Sequence, residues 1–172
     1  GVGAFGDAMR ELDARGLTHV LRERASEAAR GGRPFLGVCL GMQLLVETSE
    51  ESPGVAGLGV VAGECALLRP PAPLKVPHMG WNELAVARRR PLLAGIGAEP
   101  YVYFVHSYCV RCGEESDAAA TADYGGPVLA VLCRGNLCAT QFHPEKSQAV
   151  GLRILENFVA LAGAAAASES PP

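Results

Sequence analysis

The chain has 172 residues, 49% hydrophobic and 19% charged, with a formal net charge of −3. That balance suits one soluble globular domain with a real core and excludes a disordered chain. The mild negative charge offers no basic face to a nucleic acid, no apolar stretch is read as approaching a membrane span, and no signal peptide opens the sequence.

Six cysteines, Cys39, Cys65, Cys109, Cys112, Cys133 and Cys138, occur with no sign of secretion, so reduced thiols in a cytoplasm are expected. The lone Cys109-x2-Cys112 reads as ordinary small strand residues rather than a metal or redox site. Neither a metal nor a cofactor is expected.

The chain opens on Gly1-Val2-Gly3, a glycine-flanked peptide that can rotate at little steric cost, so its N–H could turn into a site as an oxyanion donor; a merely flexible start is the other reading. An α/β domain rarely opens on a loop. The expectation is therefore an N-terminally truncated domain over 1–162 that lacks at least one βαβ unit, about 30 residues or more. Asp7 reads as the N-cap of a short helix through Leu12. Leu17, Val20, Leu21, Ala25 and Ala28 form a helical stripe closed by Gly31-Gly32.

Residues 34–38 read as a buried strand. It runs into Gly37-Val38-Cys39-Leu40-Gly41, where glycines two residues either side of Cys39 suit a sharp turn, with a helix to about Glu47. This is the cysteine form of the strand–nucleophile–helix elbow. A cysteine at the positive end of a helix is favoured as thiolate, and the N–H of Leu40 is a natural oxyanion donor. The bland alternative is a small buried cysteine beside a glycine-rich turn.

The middle of the chain, 52–100, is rich in Gly and Pro, with short strands expected near 64–68, 74–78 and 81–86. Trp81, in Gly80-Trp81-Asn82, is either core or an aromatic presented to a partner. Tyr101–Val105 is a strong strand, and further strands are expected near 118–122, 128–133 and 137–142. His143 closes the last of these, and Pro144 biases it towards an extended backbone. Glu145, two residues on, lies on the same side at strand period and can fix the imidazole tautomer. His78 and His106 also follow strand-like runs but have no carboxylate two residues away. Val150, Ile154 and Phe158, with Leu155 and Val159, predict a largely buried last helix. Residues 163–172 read as a frayed tail.

Alternating strands and helices at the front, with short strands in the middle, predict a three-layer α/β fold. Its sheet should be mostly parallel, flanked by helices, with an antiparallel extension. The elbow would sit at the carboxyl end of its strand, where such sheets bind ligands.

With these residues in hand, the chain resembles the class I, triad-type glutamine amidotransferases, most closely the glutaminase subunits of imidazole glycerol phosphate synthases. The elbow and His143-Pro144-Glu145 carry the class. Residues 1–9, Pro77-His78-Met79-Gly80-Trp81-Asn82, Phe104-Val105-His106-Ser107-Tyr108 and Met42 narrow it. The resemblance implies that Cys39 attacks the side-chain amide of L-glutamine and that His143 takes the thiol proton and passes it to the leaving ammonia. Glu145 would orient His143, and water would then release glutamate. It also implies that Gln43, Ser107 and Tyr108 hold glutamine, and that Val2-Gly3 with Leu40 forms the oxyanion site. The implied partner is a (β/α)₈-barrel synthase subunit, bound as a heterodimer near Trp81 and Asn82. That subunit receives the ammonia to make imidazole glycerol phosphate and aminoimidazole carboxamide ribotide in histidine biosynthesis. Cys109 stands where this family would carry an aromatic.

Sister amidotransferases serving anthranilate, aminodeoxychorismate or carbamoyl phosphate synthesis would share the Cys39 chemistry. A stand-alone cysteine hydrolase would release product at full rate without a partner. A non-catalytic binding subunit would have no use for Cys39, His143 and Glu145 together.

Overall fold

The computed structural model describes residues 3–169. Two helices come first, α1 (Phe5–Ala14) and α2 (Thr18–Ala29). Strand β1 (Phe35–Val38) then enters the short helix α3 (Leu40–Gln43). The strands that follow are β2 (Thr48–Ser49), β3 (Gly63–Leu67), β4 (His78–Glu83), β5 (Ala85–Val86), β6 (Tyr101–His106), β7 (Tyr108–Cys112), β8 (Ala118–Asp123), β9 (Pro127–Arg134) and β10 (Leu137–Thr140). Helix α4 (Gln148–Glu169) closes the described chain.

The main sheet has the order β1-β10-β9-β8-β5; β2-β3-β7 and β4-β6 form smaller sheets. The sheets are mixed rather than mostly parallel: among the described residues only β1·β10 and β2·β3 run parallel. Short connections decide this, because a two-residue turn can only join antiparallel neighbours. Gly135-Asn136 is such a turn between β9 and β10. Gly135 has φ +55, and a Cβ there would lie 2.6 Å from the Ala29 carbonyl oxygen, so glycine is required.

Side chains of β10 alternate between two cores. Leu137 and Ala139 face a cluster with Phe5, Met9, Ala25, Ala28 and Leu132 under α1 and α2. Cys138 and Phe142 face the opposite side, with Val131, Phe104 and Ile154 under α4. Burial on both faces gives the three-layer arrangement and explains the near-continuous apolar runs of β9 and β10. Arg134, whose guanidinium grips the buried Asp117 and also donates to the Val60 carbonyl at 3.1 Å, ties the end of β9 to neighbouring loops.

Several expectations are corrected. Asp7 lies inside the first turn of α1, with Ala4 at the cap. The free N–H groups of Phe5 and Gly6 are taken instead by Glu51 Oε2 at 2.7 Å and Ser52 Oγ at 3.0 Å, partners far away in sequence. Residues 74–77 are not strand, and His78 instead begins β4. Helix α3 is one turn rather than a run to Glu47, because residues 44–50 pair with the segment 57–65.

Helix α4 differs most. Among its described residues only Gly151 and Ile154 are buried, whereas Leu152 is 59% and Val159 69% exposed, so the helix is largely exposed on one side. It also continues across the alanine-rich residues read as a frayed tail, since alanine is the best helix former. The stretch Gln148–Ala167, with mean hydropathy 1.4, is long and apolar enough by length and composition to cross a membrane, which corrects the reading that no such stretch exists. In this fold its inner stripe, Val150, Ile154, Phe158 and Leu161, packs on the main sheet.

The packing of α4 gives a direct prediction. Ile154→Ala should cost about 2–5 kcal/mol of unfolding free energy through an unfilled cavity, whereas Leu152→Ala should stay within about 0.5 kcal/mol. Urea unfolding of the two variants beside the parent measures both.

Candidate active site

The parallel register pairs Val38 with Thr140, so both strands deliver their carboxyl ends to one edge. The Cys39 N–H continues the ladder to the Thr140 carbonyl at 2.7 Å. Cys39 itself has φ 51 and ψ −106, a conformation costing about 1–3 kcal/mol that a non-glycine residue holds only when its surroundings impose it. The surroundings are visible at Gly37, where a Cβ would lie 2.7 Å from the Gly41 carbonyl oxygen. Gly41 has no such neighbour within 4 Å, so only the first glycine of the elbow is sterically required.

His143 follows β10 after Gln141 and Phe142. It is extended, but it lies beyond the strand, and Glu145 sits in the 3₁₀ turn Pro144–Lys146. The turn, rather than strand alternation, brings Glu145 Oε1 to 2.8 Å from His143 Nδ1. Ser147 fixes the same segment: its hydroxyl donates to the His143 carbonyl at 2.7 Å and accepts the Tyr103 N–H at 3.0 Å. His143 is 3% exposed, and its Nε2 is buried without a hydrogen-bond partner among the described residues. Partial burial pushes the Glu145 carboxyl up, but its own backbone N–H and His143 outweigh that and hold it below the usual range.

Cys39 opens into a cavity of about 330 Å³, whose walls include Gly3, Leu40, Gln43, Ser107 and Tyr108. The structure thus gathers around one space most of the residues expected to bind substrate or an oxyanion. Val2 lies outside the described residues. Trp81 is 47% exposed on β4, away from that cavity. Asn82 turns partly inward, its Nδ2 bonding His78 Nε2 at 3.2 Å and the Asp123 carbonyl at 2.9 Å.

The expected thiolate preference of Cys39 does not hold for the structure as described. Burial pushes its thiol up, and the opposing N–H of Leu40 and the amide of Gln141 only partly offset this. A single turn of helix supplies too little dipole to reverse the desolvation.

Two cavity and core residues escaped the sequence reading. Glu51 lines the cavity while capping α1, and its only sequence signal was the acidic run around it. Gln141, fully buried, donates from Nε2 to Cys39 Sγ at 3.7 Å. An amide between Thr140 and Phe142 in an otherwise apolar run was the available clue.

His78 and His106, the other candidate bases, are bonded to each other, Nδ1 to Nε2 at 3.1 Å. His106 Nδ1 meets the Tyr108 carbonyl at 2.9 Å, so that nitrogen carries the proton and the imidazole pair is satisfied while neutral. His78 also stacks between Phe104 and Tyr124. Burial pushes both histidines down to about 4.

The family model for glutamine amidotransferase class-I matches residues 13–162. Imidazole glycerol phosphate synthase subunit HisH of Methylococcus capsulatus is 49% identical over 168 residues, covering 92% of this chain and 74% of the relative. HisH of Deinococcus radiodurans is 54% identical over 132 residues, covering 77% and 61%. Among solved structures, a glutamine amidotransferase aligns at TM-score 0.67 and 20% identity, covering 94% of this chain and 76% of that one. The glutaminase domain of Trypanosoma brucei CTPS with bound acivicin aligns at TM-score 0.58 and 19% identity, covering 91% and 68%; at such identities the likeness is one of fold. The chain belongs to the class-I glutamine amidotransferase family, and within it to the imidazole glycerol phosphate synthase HisH subunits.

Two predictions follow from the geometry. Gly37→Ala should lower stability by at least about 2 kcal/mol and slow alkylation of Cys39, while Gly41→Ala leaves stability within about 0.5 kcal/mol; denaturant unfolding and a timed iodoacetamide reaction separate them. For the histidine pair, the unfolded state takes up protons near pH 6.5 but the folded state only near pH 4. Their contribution is therefore present above pH 6.5 and lost as the pH falls from 6.5 to 4. His78→Phe, which keeps the aromatic stack and leaves His106 in place, should reduce the pH dependence of the urea midpoint across that window.

Proposed function

We propose that this chain hydrolyses L-glutamine to L-glutamate and ammonia and hands the ammonia to a barrel-shaped synthase subunit in histidine biosynthesis. The observation that carries the reading is the strained elbow, which opens Cys39 into a cavity at the edge where β10 delivers the His143–Glu145 pair. The names of the HisH relatives support the acceptor reaction.

In this reading, His143 Nε2 takes the thiol proton as Cys39 Sγ attacks the amide carbon. The oxygen of the tetrahedral intermediate is met by the Leu40 N–H and the Val2-Gly3 peptide. His143 returns the proton to the leaving nitrogen, ammonia departs, and water attacks the thioester by the reverse proton path. Glu145 keeps Nδ1 protonated, so that Nε2 is the basic nitrogen. Gln43, Ser107 and Tyr108 hold the substrate, and the Glu51 carboxylate suits its α-ammonium. The reaction draws on side chains, backbone donors and water.

The proposed domain spans 1–162, and the proposed setting is the cytoplasm. The proposed face for the synthase subunit lies on β4 and β6, where Met79, Trp81 and Tyr101 are 61%, 47% and 48% exposed. Ammonia released as the thioester forms benefits from a covered exit, since water and ammonia compete for the same space.

Glutamate release tests the proposal, measured for the chain alone, with the barrel subunit, and with that subunit plus its ribonucleotide substrate. A low rate alone and a large rise in the full mixture are expected. Full activity without the partner would point to a stand-alone hydrolase instead. Cys39→Ser should reduce the partnered rate on the order of 10⁴-fold and His143→Ala about 10²–10⁴-fold.

A further inference from the structure

The side chains behind Cys39 form a directed chain of hydrogen bonds. Gln43 Nε2 donates to the Tyr108 backbone carbonyl at 2.9 Å. That carbonyl only accepts, so the nitrogen of Gln43 must face it, and the amide cannot be turned the other way. The second hydrogen of the same nitrogen meets Gln141 Oε1 at 3.3 Å. Gln141 therefore presents oxygen to Gln43 and nitrogen to Cys39 Sγ, 3.7 Å away. A flipped Gln141 would set two N–H groups against each other. The orientation of the group touching the sulfur is thus fixed two residues away, by a backbone carbonyl on the cavity wall.

Burial makes this orientation matter. Gln141 is fully buried, and Gln43 and Cys39 are 6% and 7% exposed. In such a low-dielectric setting an N–H aimed at sulfur favours the anion over the thiol, because only the anion is a strong acceptor. The placement also follows from the backbone. Gln141 directly follows the last residue of β10, and Phe142 after it belongs to the opposite core. Gln141 is held besides by its N–H to the Ala130 carbonyl at 2.9 Å.

We propose that Gln141 is a positioning residue for the nucleophile: its side-chain N–H, oriented through Gln43 by the Tyr108 carbonyl, holds the Cys39 sulfur and favours its thiolate. The inference rests on the glutaminase reading for its role in turnover, but the effect on the thiol stands apart from it. Because Tyr108 and Gln43 both border the cavity, a substrate that shifts either one would be felt at the sulfur through the same two amides.

The test is the pH dependence of Cys39 alkylation by iodoacetamide in the full chain, read by mass spectrometry of the Cys39 peptide with Cys39→Ser as the blank. Gln141→Met keeps length and volume but cannot donate. It should move the alkylation midpoint up by about one pH unit and lower kcat for glutamate release about 10–100-fold, with KM within about threefold. Gln43→Met leaves Gln141 in place but removes its orientation, and should move the midpoint in the same direction by less. A merely space-filling Gln141 would alter the melting temperature without moving the midpoint. Midpoints within about 0.2 pH unit of the parent in the folded variants would overturn the proposal. If Gln141→Met does not fold, Gln43→Met decides alone. Alkylation needs neither glutamine nor a partner. A midpoint shift in a chain that never releases glutamate therefore overturns the glutaminase reading and keeps the inference, and an active parent without the shift does the reverse.

Discussion

The site depends on one parallel pairing. β1 and β10 are separated by about a hundred residues of chain, yet their register sets Val38 beside Thr140. The candidate groups lie in the few residues beyond that pair: Cys39 after one strand, Gln141 and His143 after the other. An antiparallel pairing would send the two carboxyl ends to opposite edges. The hairpin β9–β10 and the cores on both faces fix the position of β10, so the geometry of the site is inherited from the packing of the sheet.

Two opposing effects meet at Cys39. The elbow forces the residue into a left-handed conformation and buries the sulfur, and desolvation raises its thiol. The Leu40 N–H and the Gln141 amide act against this, the first supplied by the turn and the second by the neighbouring strand. The balance leaves the Cys39 thiol above its usual range. His78 and His106 solve a different problem. Buried, mutually bonded and neutral, they brace β4 against β6, and His106 itself borders the cavity beside Ser107 and Tyr108.

Parts of this arrangement are legible in the sequence. The elbow, the closeness of His143 and Glu145 and the places of several strands follow from glycine spacing, proline placement and apolar runs. Other readings failed for identifiable reasons. Asp7 looked like a cap because the real partners of the α1 N-terminus, Glu51 and Ser52, are far away in sequence. The stripe on α4 looked wide enough for a largely buried helix, but the sheet covers only one side of it. Gln141 drew no reading at all, since nothing local says what its amide touches.

The sequence by itself determined the chemical parts: a cysteine at a glycine-bounded turn, a histidine two residues before a carboxylate, and enough alternating apolar residues for a layered α/β core. These are local patterns, set by backbone sterics and side-chain period. Only the tertiary structure decided what those parts face. The cavity walls, the protonation balance of Cys39 and the direction of the Gln43–Gln141 amides come from strands distant in sequence. Long-range register, desolvation and hydrogen-bond polarity have no signature in any short window of residues.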